Sequence, residues 1–242
     1  MSKKVKNILA DKTWNPVTGC TKISPGCLHC YAETICEWLC KMGQEKYKNG
    51  FNLLLHEDSL SEPVKWKRSH HVFVCSMADI FHEHVPFSFI DKIIRTIMLT
   101  PQHKYQFLTK RAERMSEYFQ HRKIPHNLWL GVTVESKTTK NRIDIVRTMN
   151  APVRYLCCEP LLEDLGELNL DNIDWIIVGG ESGSEVRPMK KEWVLSIEKQ
   201  ARDSGTAFFF KQWGTWSEDG VKRDRYVNGC TIDGKLYQQF PE

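Results

Sequence analysis

Three cysteines lie close enough along the chain to serve as one ligand set. Cys20, Cys27 and Cys30 stand in Cys20-Thr-Lys-Ile-Ser-Pro-Gly-Cys27-Leu-His-Cys30-Tyr31, with six residues in the first gap and two in the second. Three clustered thiolates can hold a four-iron cluster and leave its fourth iron open to a small molecule. A closed structural zinc site takes four ligands. Cys36 or Cys40 on the following segment could complete one, as could His29, which is cramped between two cysteines. Cys27-Leu-His-Cys30 is also the spacing of a thioredoxin-like redox pair or of half a zinc knuckle. The cysteines by themselves leave these readings open.

More chemistry is carried by polar residues that follow apolar runs. They are Cys75-Ser-Met-Ala-Asp79, Thr109-Lys-Arg111, Thr133-Val-Glu135, Cys158-Glu159-Pro160 and Gly179-Gly-Glu-Ser-Gly183. One polar residue after a strand is commonly a helix cap or turn former. Five such ends in succession point to a shared ligand site, with Ser76, Asp79, Lys110, Glu135, Glu159 and Glu181 around it. Gly179, Gly180 and Gly183 would let backbone amides approach a ligand, but no Lys-Ser/Thr ending follows to make a phosphate loop.

The elements that must position these groups are legible as short apolar runs. His71–Cys75, Tyr105–Leu108, Leu128–Val132, Val153–Cys157, Trp175–Val178 and Ala207–Phe210 read as strands buried on both faces, as in a parallel sheet. A further strand is expected near Thr13–Val17. Helical spacing appears over Phe89–Leu99, Glu113–Phe119, Thr138–Met149 and Lys191–Arg202, and every gap is long enough for a crossover helix. Alternation of this kind predicts an α/β fold, a partial (β/α) barrel of six or seven parallel strands with an irregular C-terminal tail. No Gly-x-Gly-x-x-Gly supports an open dinucleotide-binding sheet instead. One domain is expected over residues 1–242, with 211–242 an extension packing on the barrel and Trp213 and Trp216 either a lid on the mouth or a plug beneath it.

Composition bounds the function. The chain has 242 residues, 41% hydrophobic and 26% charged, with a formal charge of +4. Residues 1–30 alone supply that charge, through Lys3, Lys4, Lys6, Lys12 and Lys22 against Asp11. No general basic field therefore announces nucleic acid, although Lys65-Trp-Lys-Arg68, Lys110-Arg111, His121-Arg-Lys123 and Lys222-Arg-Asp-Arg225 are local basic segments. No apolar run is long enough for a membrane span or a secretory signal. With nine cysteines, the expectation is a cytoplasmic, reduced chain that uses some thiolates as metal ligands.

In fixed order, the chain carries Thr13-Trp-Asn-Pro-Val-Thr-Gly-Cys20, Gly26-Cys-Leu-His-Cys-Tyr-Ala32, Ser76-Met-Ala-Asp-Ile-Phe81, Phe107-Leu-Thr-Lys-Arg111, Leu130-Gly-Val-Thr-Val-Glu135, Cys158-Glu-Pro-Leu161, Val178-Gly-Gly-Glu-Ser-Gly183, Arg187-Pro-Met189 and Phe209-Phe-Lys-Gln-Trp-Gly214. Together these resemble a bacterial and phage protein family with a three-cysteine motif, radical-SAM-like and of uncharacterised function. The resemblance implies a [4Fe-4S] cluster on Cys20, Cys27 and Cys30, and S-adenosylmethionine (SAM) as second cofactor. Radical SAM motifs usually have gaps of three and two residues with an aromatic before the last cysteine; here the first gap is six and His29 takes the aromatic place. Ser76 and Asp79 fall where such enzymes carry a Gly-Gly-Glu element for the SAM amino group, which this chain lacks there. Thr133 and Glu135 fall beside the ribose and methionine part. Arg142 would pair with the SAM carboxylate, Glu159 lines the mouth, and Gly179 and Gly180 lie beside adenine. Cys75, Cys157 and Cys158 would be either hydrogen donors or core thiols.

Reductive cleavage of SAM would then leave a 5′-deoxyadenosyl radical that abstracts hydrogen from a substrate, expected to be a nucleic acid or nucleotide. An electron donor for the cluster is required. The alternative is a non-catalytic iron–sulfur or zinc module that binds nucleic acid or a partner. No His-Glu-x-x-His array supports a hydrolytic metal enzyme.

Overall fold

The computed structural model describes residues 9–183 and 185–241. Lys3, Lys4 and Lys6 of the basic N-terminal run lie outside the described residues. Seven strands form one sheet: β1 (Lys12–Trp14), β2 (His71–Val74), β3 (Lys104–Thr109), β4 (Leu128–Thr133), β5 (Arg154–Cys158), β6 (Trp175–Gly179) and β7 (Ala207–Gln212). Each pairs in parallel with its neighbour in sequence, so the strand order is the chain order. A sheet wound in one direction and not closed between β1 and β7 is a half-barrel, as expected from the apolar runs.

Helices α1 (Tyr31–Lys41), α2 (Phe87–Leu99), α3 (Ala112–Phe119), α4 (Asn141–Val146) and α5 (Lys191–Ser204) fall between strands. In α2, Phe89, Ile90, Ile93, Ile94 and Ile97 recur at helical spacing and are buried, so that face lies on the sheet. Helix α5 stops at Gly205, whose φ of 74° is the left-handed cap that glycine adopts without a Cβ penalty.

The gap between β5 and β6 is long enough for a crossover helix but holds none. Residues 160–174 contain no helix and instead bury Leu161, Leu165, Leu168, Leu170 and Ile173. Asp164 accepts a hydrogen bond from the Gly166 amide, and Asn169 from the Asp171 amide. Such side-chain turns compete with helical hydrogen bonds, and Pro160 and Gly166 reinforce them.

Strand alternation divides the core in two. Val72, Val74, Tyr105, Phe107, Leu130, Val132, Leu156, Val178 and Phe210 pack with residues of α2, α3 and α5. On the opposite, concave face lie Trp129, Tyr155, Cys157, Trp175, Ile177 and Phe209. The indole of Trp175 meets Trp129, Tyr155 and Phe209 at ring-centroid distances of 6.0, 5.8 and 6.0 Å. This aromatic layer fills the barrel interior below the strand ends.

The tail runs back along the open edge of β7. The Phe210 amide donates to the Tyr237 carbonyl and the Gln239 amide to that of Phe208, which covers an otherwise unpaired strand edge. Trp213 is neither lid nor plug. It is buried in the helix-side core, 4.9 Å from the Phe210 ring, and its indole N–H donates to the Thr231 carbonyl. Trp216 is half-buried, donating to the Val186 carbonyl. Phe240 reaches the Trp175 ring instead, at 5.2 Å. Among the described residues, no helix is long and apolar enough to cross a membrane.

Candidate functional site at the barrel mouth

The cysteine loop lies across the C-terminal ends of the strands and is fastened there from several sides. The Gly19 amide donates to the Met77 carbonyl, and the Tyr31 hydroxyl to that of Ser76 at 2.6 Å. Arg187 donates to the Pro25 carbonyl at 3.0 Å, and Arg111 to the Thr21 hydroxyl at 2.8 Å. Gly26 presses on Glu135: a Cβ there would sit 3.0 Å from the Glu135 Cγ. Cys30 is the N-cap of α1, where the helix dipole favours negative charge.

The three thiols are partly exposed and none is in a disulfide. Burial raises the Cys20 thiol and Asp79 adds to this, although the Arg111 guanidinium, 3.7 Å from the sulfur, opposes both. Burial alone would also raise Cys27, but Lys110 and hydrogen bonds at Ser24 hold it below its ordinary value. The other cysteines differ. Burial pushes Cys36 up to about 11 and Cys157 up to about 12, and it raises Cys75 and Cys158 as well. Cys36 packs with Ala32 and Met77, and the Cys40 sulfur faces the Lys48 carbonyl. Among the described residues, no three His, Cys, Asp or Glu side chains converge as a ready site for a metal ion.

The expected strand-end residues do gather at this mouth, and most of their carboxylates are already engaged. Asp79 accepts from the Thr109 hydroxyl at 2.7 and 2.9 Å, from the Phe81 and Lys110 amides, and from Arg111 at 3.3 Å. It thereby ties β2 to β3 and aims Arg111 at the cysteine loop. The Ser76 hydroxyl donates to Asn15 at 3.1 Å. The segment begins at Cys75, whose φ of 58° is unusual for a non-glycine residue and turns the chain sharply after β2.

Glu135 is fully buried, and its Oε2 accepts from Arg142 at 2.9 Å. Arg142 also donates to the Thr133 carbonyl at 2.8 Å. Among the described residues, the second oxygen of Glu135 has no hydrogen-bond partner. Glu159 accepts from Lys211 at 2.6 Å and Gln212 at 2.9 Å. Burial alone would lower the Lys211 ammonium; Glu159 and Cys157 hold it above its ordinary value. Glu181 binds Arg187 through both oxygens and stands 3.3 Å from the His29 ring. Burial would raise its carboxyl, yet these hydrogen bonds keep it low.

The two glycines have packing reasons of their own. A Cβ on Gly179 would lie 2.9 Å from a Glu159 oxygen, and one on Gly180 would lie 1.9 Å from the Trp213 carbonyl oxygen. Sequence reasoning assigned no role to Tyr31, Arg111, Arg187 or Lys211. Each lies inside or beside a stretch that carried the family resemblance, but its partner is remote in sequence. A cleft of about 540 Å³ beside Phe119, Lys123 and Met149, at the C-terminal ends of α3 and α4, is away from this mouth.

Fold and site define a parallel half-barrel with a three-cysteine loop across its mouth. The chain belongs to the family described as "Protein of unknown function (DUF5131)", whose model matches residues 6–241. No curated protein matches the chain. Among solved structures, it resembles a variant of spore photoproduct lyase with dinucleoside spore photoproduct, at 14% identity and a TM-score of 0.47, over 77% of this chain and 59% of that one. A second variant, with bound AdoMet and the same dinucleoside, matches at 13% identity and a TM-score of 0.44, over 78% of this chain and 60% of that one. This chain thus spans less than two thirds of those proteins.

Proposed function

We propose that this chain is a radical SAM enzyme acting on a nucleic acid or nucleotide. In this reading Cys20, Cys27 and Cys30 hold a [4Fe-4S] cluster, and S-adenosylmethionine binds beside it. The observation that carries the reading is a loop of three accessible thiols lying over the polar mouth of a parallel half-barrel. The donor chemistry fits such a cluster. Three thiolates leave one iron open, Lys110, Arg111 and the α1 N-terminus favour negative charge, and the remaining cysteines are insulated in the core or lie off the loop. When bound, the cluster would supply the electron that breaks the carbon–sulfur bond of SAM; the chain itself needs an external one-electron donor.

The protein's own residues do the positioning. Arg187 and Glu181 hold the loop at Pro25, and Arg111 holds it at Thr21. The Glu135–Arg142 pair lies under Gly26 and supports the cysteine loop from below. Trp129, Tyr155, Trp175 and Phe209 close the barrel below, so a reactive species at the mouth meets no water from that side.

The test is anaerobic reconstitution with iron and sulfide, followed by metal analysis and calorimetric titration with SAM. About four irons per chain are expected, with uptake abolished by Cys27→Ala or Cys30→Ala and SAM binding dependent on the cluster. Stoichiometric zinc without iron uptake would sink the cluster. A full cluster that binds no SAM would instead favour the non-catalytic module, which the engagement of Asp79 by Thr109 and Arg111 already favours in part.

A further inference from the structure

Four carboxylates ring the mouth, and each is paired with a cation, Arg111 being shared with Glu83. Asp79 pairs with Arg111, Glu135 with Arg142, Glu159 with Lys211 and Glu181 with Arg187. Lys110 is the odd one. It is partly buried, and among the described residues its ammonium makes no hydrogen bond or ion pair. Removing an ammonium from water without a partner is unfavourable, and a bound anion would offset that cost.

The pleat says where Lys110 points. Side chains two apart on a strand share a face. Leu108 packs against the concave cluster and Phe209 belongs to it, so Lys211 continues the concave face on β7, while Lys110 stands one residue past the end of β3, two positions after Leu108. Cys157 is in the same cluster, and Glu159 follows it by two residues. Both lysines lie near enough to act electrostatically on Cys157. The two ammoniums therefore face the space between the cysteine loop and the barrel floor, opposed there by Glu159.

We propose that Lys110 and Lys211 form an anion subsite inside the barrel mouth that takes a phosphate of the substrate. This rests on the reading of the substrate as a nucleotide or nucleic acid. Glu159, itself held by Gln212, fixes Lys211, whereas Lys110 on the opposite wall has no ion-pair partner among the described residues.

The experiment uses the full chain and two probes, thymidine 5′-monophosphate and a single-stranded hexathymidylate, with binding measured over a range of salt and iron content and thermal midpoint read on the same samples. Lys110→Gln should weaken probe binding about tenfold or more, as loss of a charge-assisted contact to phosphate does. It should also reduce the slope of log affinity against log salt for the hexanucleotide by about 0.7. Lys110→Arg should keep both. Lys211→Gln should act in the same direction, but it also strands Glu159, so the Lys110 variants are the deciding ones. Equal lysine dependence for both probes identifies a free nucleotide as the source of the phosphate; dependence seen only with the hexanucleotide identifies a strand.

Wild-type protein that binds neither probe overturns the subsite. So does Lys110→Gln that binds both within twofold of wild type, and if its iron content falls the lysine serves the cysteine loop instead. Lysine-dependent binding in protein that takes up no iron and no SAM keeps the subsite and removes the enzyme reading, so the two ideas fail separately.

Discussion

Arg142 and Glu135 are seven residues apart, and sequence alone allowed them to be an exposed pair whose loss would change little. The structure buries both, with Glu135 fully enclosed between Arg142 and the cysteine loop. That changes the expected outcome of mutation. Arg142→Ala removes the guanidinium and strands a carboxylate with no access to water, a change that typically costs about 3–5 kcal/mol. It should therefore lower the urea midpoint markedly as well as any SAM affinity. Pairing it with Glu135→Gln removes the stranded charge and should recover much of the loss. Urea unfolding of the two single variants and the double variant reads this directly. An Arg142→Ala protein within about 0.5 kcal/mol of wild type would show that the pair contributes as little as a surface pair does.

At the scale of elements, the join between β6 and the turn after β7 is the tightest part of the mouth. The Gly180 amide donates to the Gln212 carbonyl, and the Gln212 side chain donates back to the Gly180 carbonyl. A methyl group at residue 180 would overlap the Trp213 carbonyl, which is backbone and has no rotamer in which to retreat. Gly180→Ala should thus separate the two strand ends and destabilise the protein by about 1–3 kcal/mol. Chemical denaturation against wild type checks this, and an unchanged midpoint would refute it. The glycine pair was legible in the sequence as a place of close approach, but what approaches was not. Six of the strands were legible as apolar runs, and α2 because its isoleucines repeat at helical spacing; β1, Lys-Thr-Trp with only Trp14 buried, carries no such run. The helix-free stretch 160–174 was not, since its leucines are as frequent as in a helix and only the local turns at Asp164 and Asn169 break it. In the site, the cysteine loop was visible from spacing. Its fastenings were not: Arg187 reaches Pro25 across 162 positions and Lys211 reaches Glu159 across 52, and local pattern carries no record of such pairs.

At the scale of the whole molecule, the response to pH follows from histidines kept neutral as well as from paired carboxylates. His103 is completely buried, between the rings of Trp66, His70 and Tyr105. Its Nδ1 accepts from the His70 amide at 3.2 Å, so its Nε2 carries the proton and donates to the Pro63 carbonyl at 3.2 Å. A second proton on Nδ1 would point at an amide hydrogen. Burial lowers its pKa below the ordinary value; the Pro63 carbonyl partly opposes this, and the neighbouring His70 lowers it further. Asp11 faces the group too, through His70, as a weaker influence in the other direction. A histidine depressed in the folded state binds its proton first in the unfolded chain. Its contribution to stability is then complete above the unfolded value near 6.5 and is lost as pH falls toward the lower folded value. His82, equally buried, is lowered by burial and then by Arg111, and it adds in the same sense. Carboxylates held low by their partners, Glu181 among them, act only further down, below about pH 4.3. Stability should accordingly decline between pH 7.5 and 5.5, with His103 contributing up to about 1.4 kcal/mol of the loss. His103→Gln should be less stable than wild type at pH 7.5, having lost the fit among the three rings, yet decline less steeply across the same interval. Urea midpoints at the two pH values for both proteins measure the difference, and parallel declines would place the acid sensitivity elsewhere in the chain.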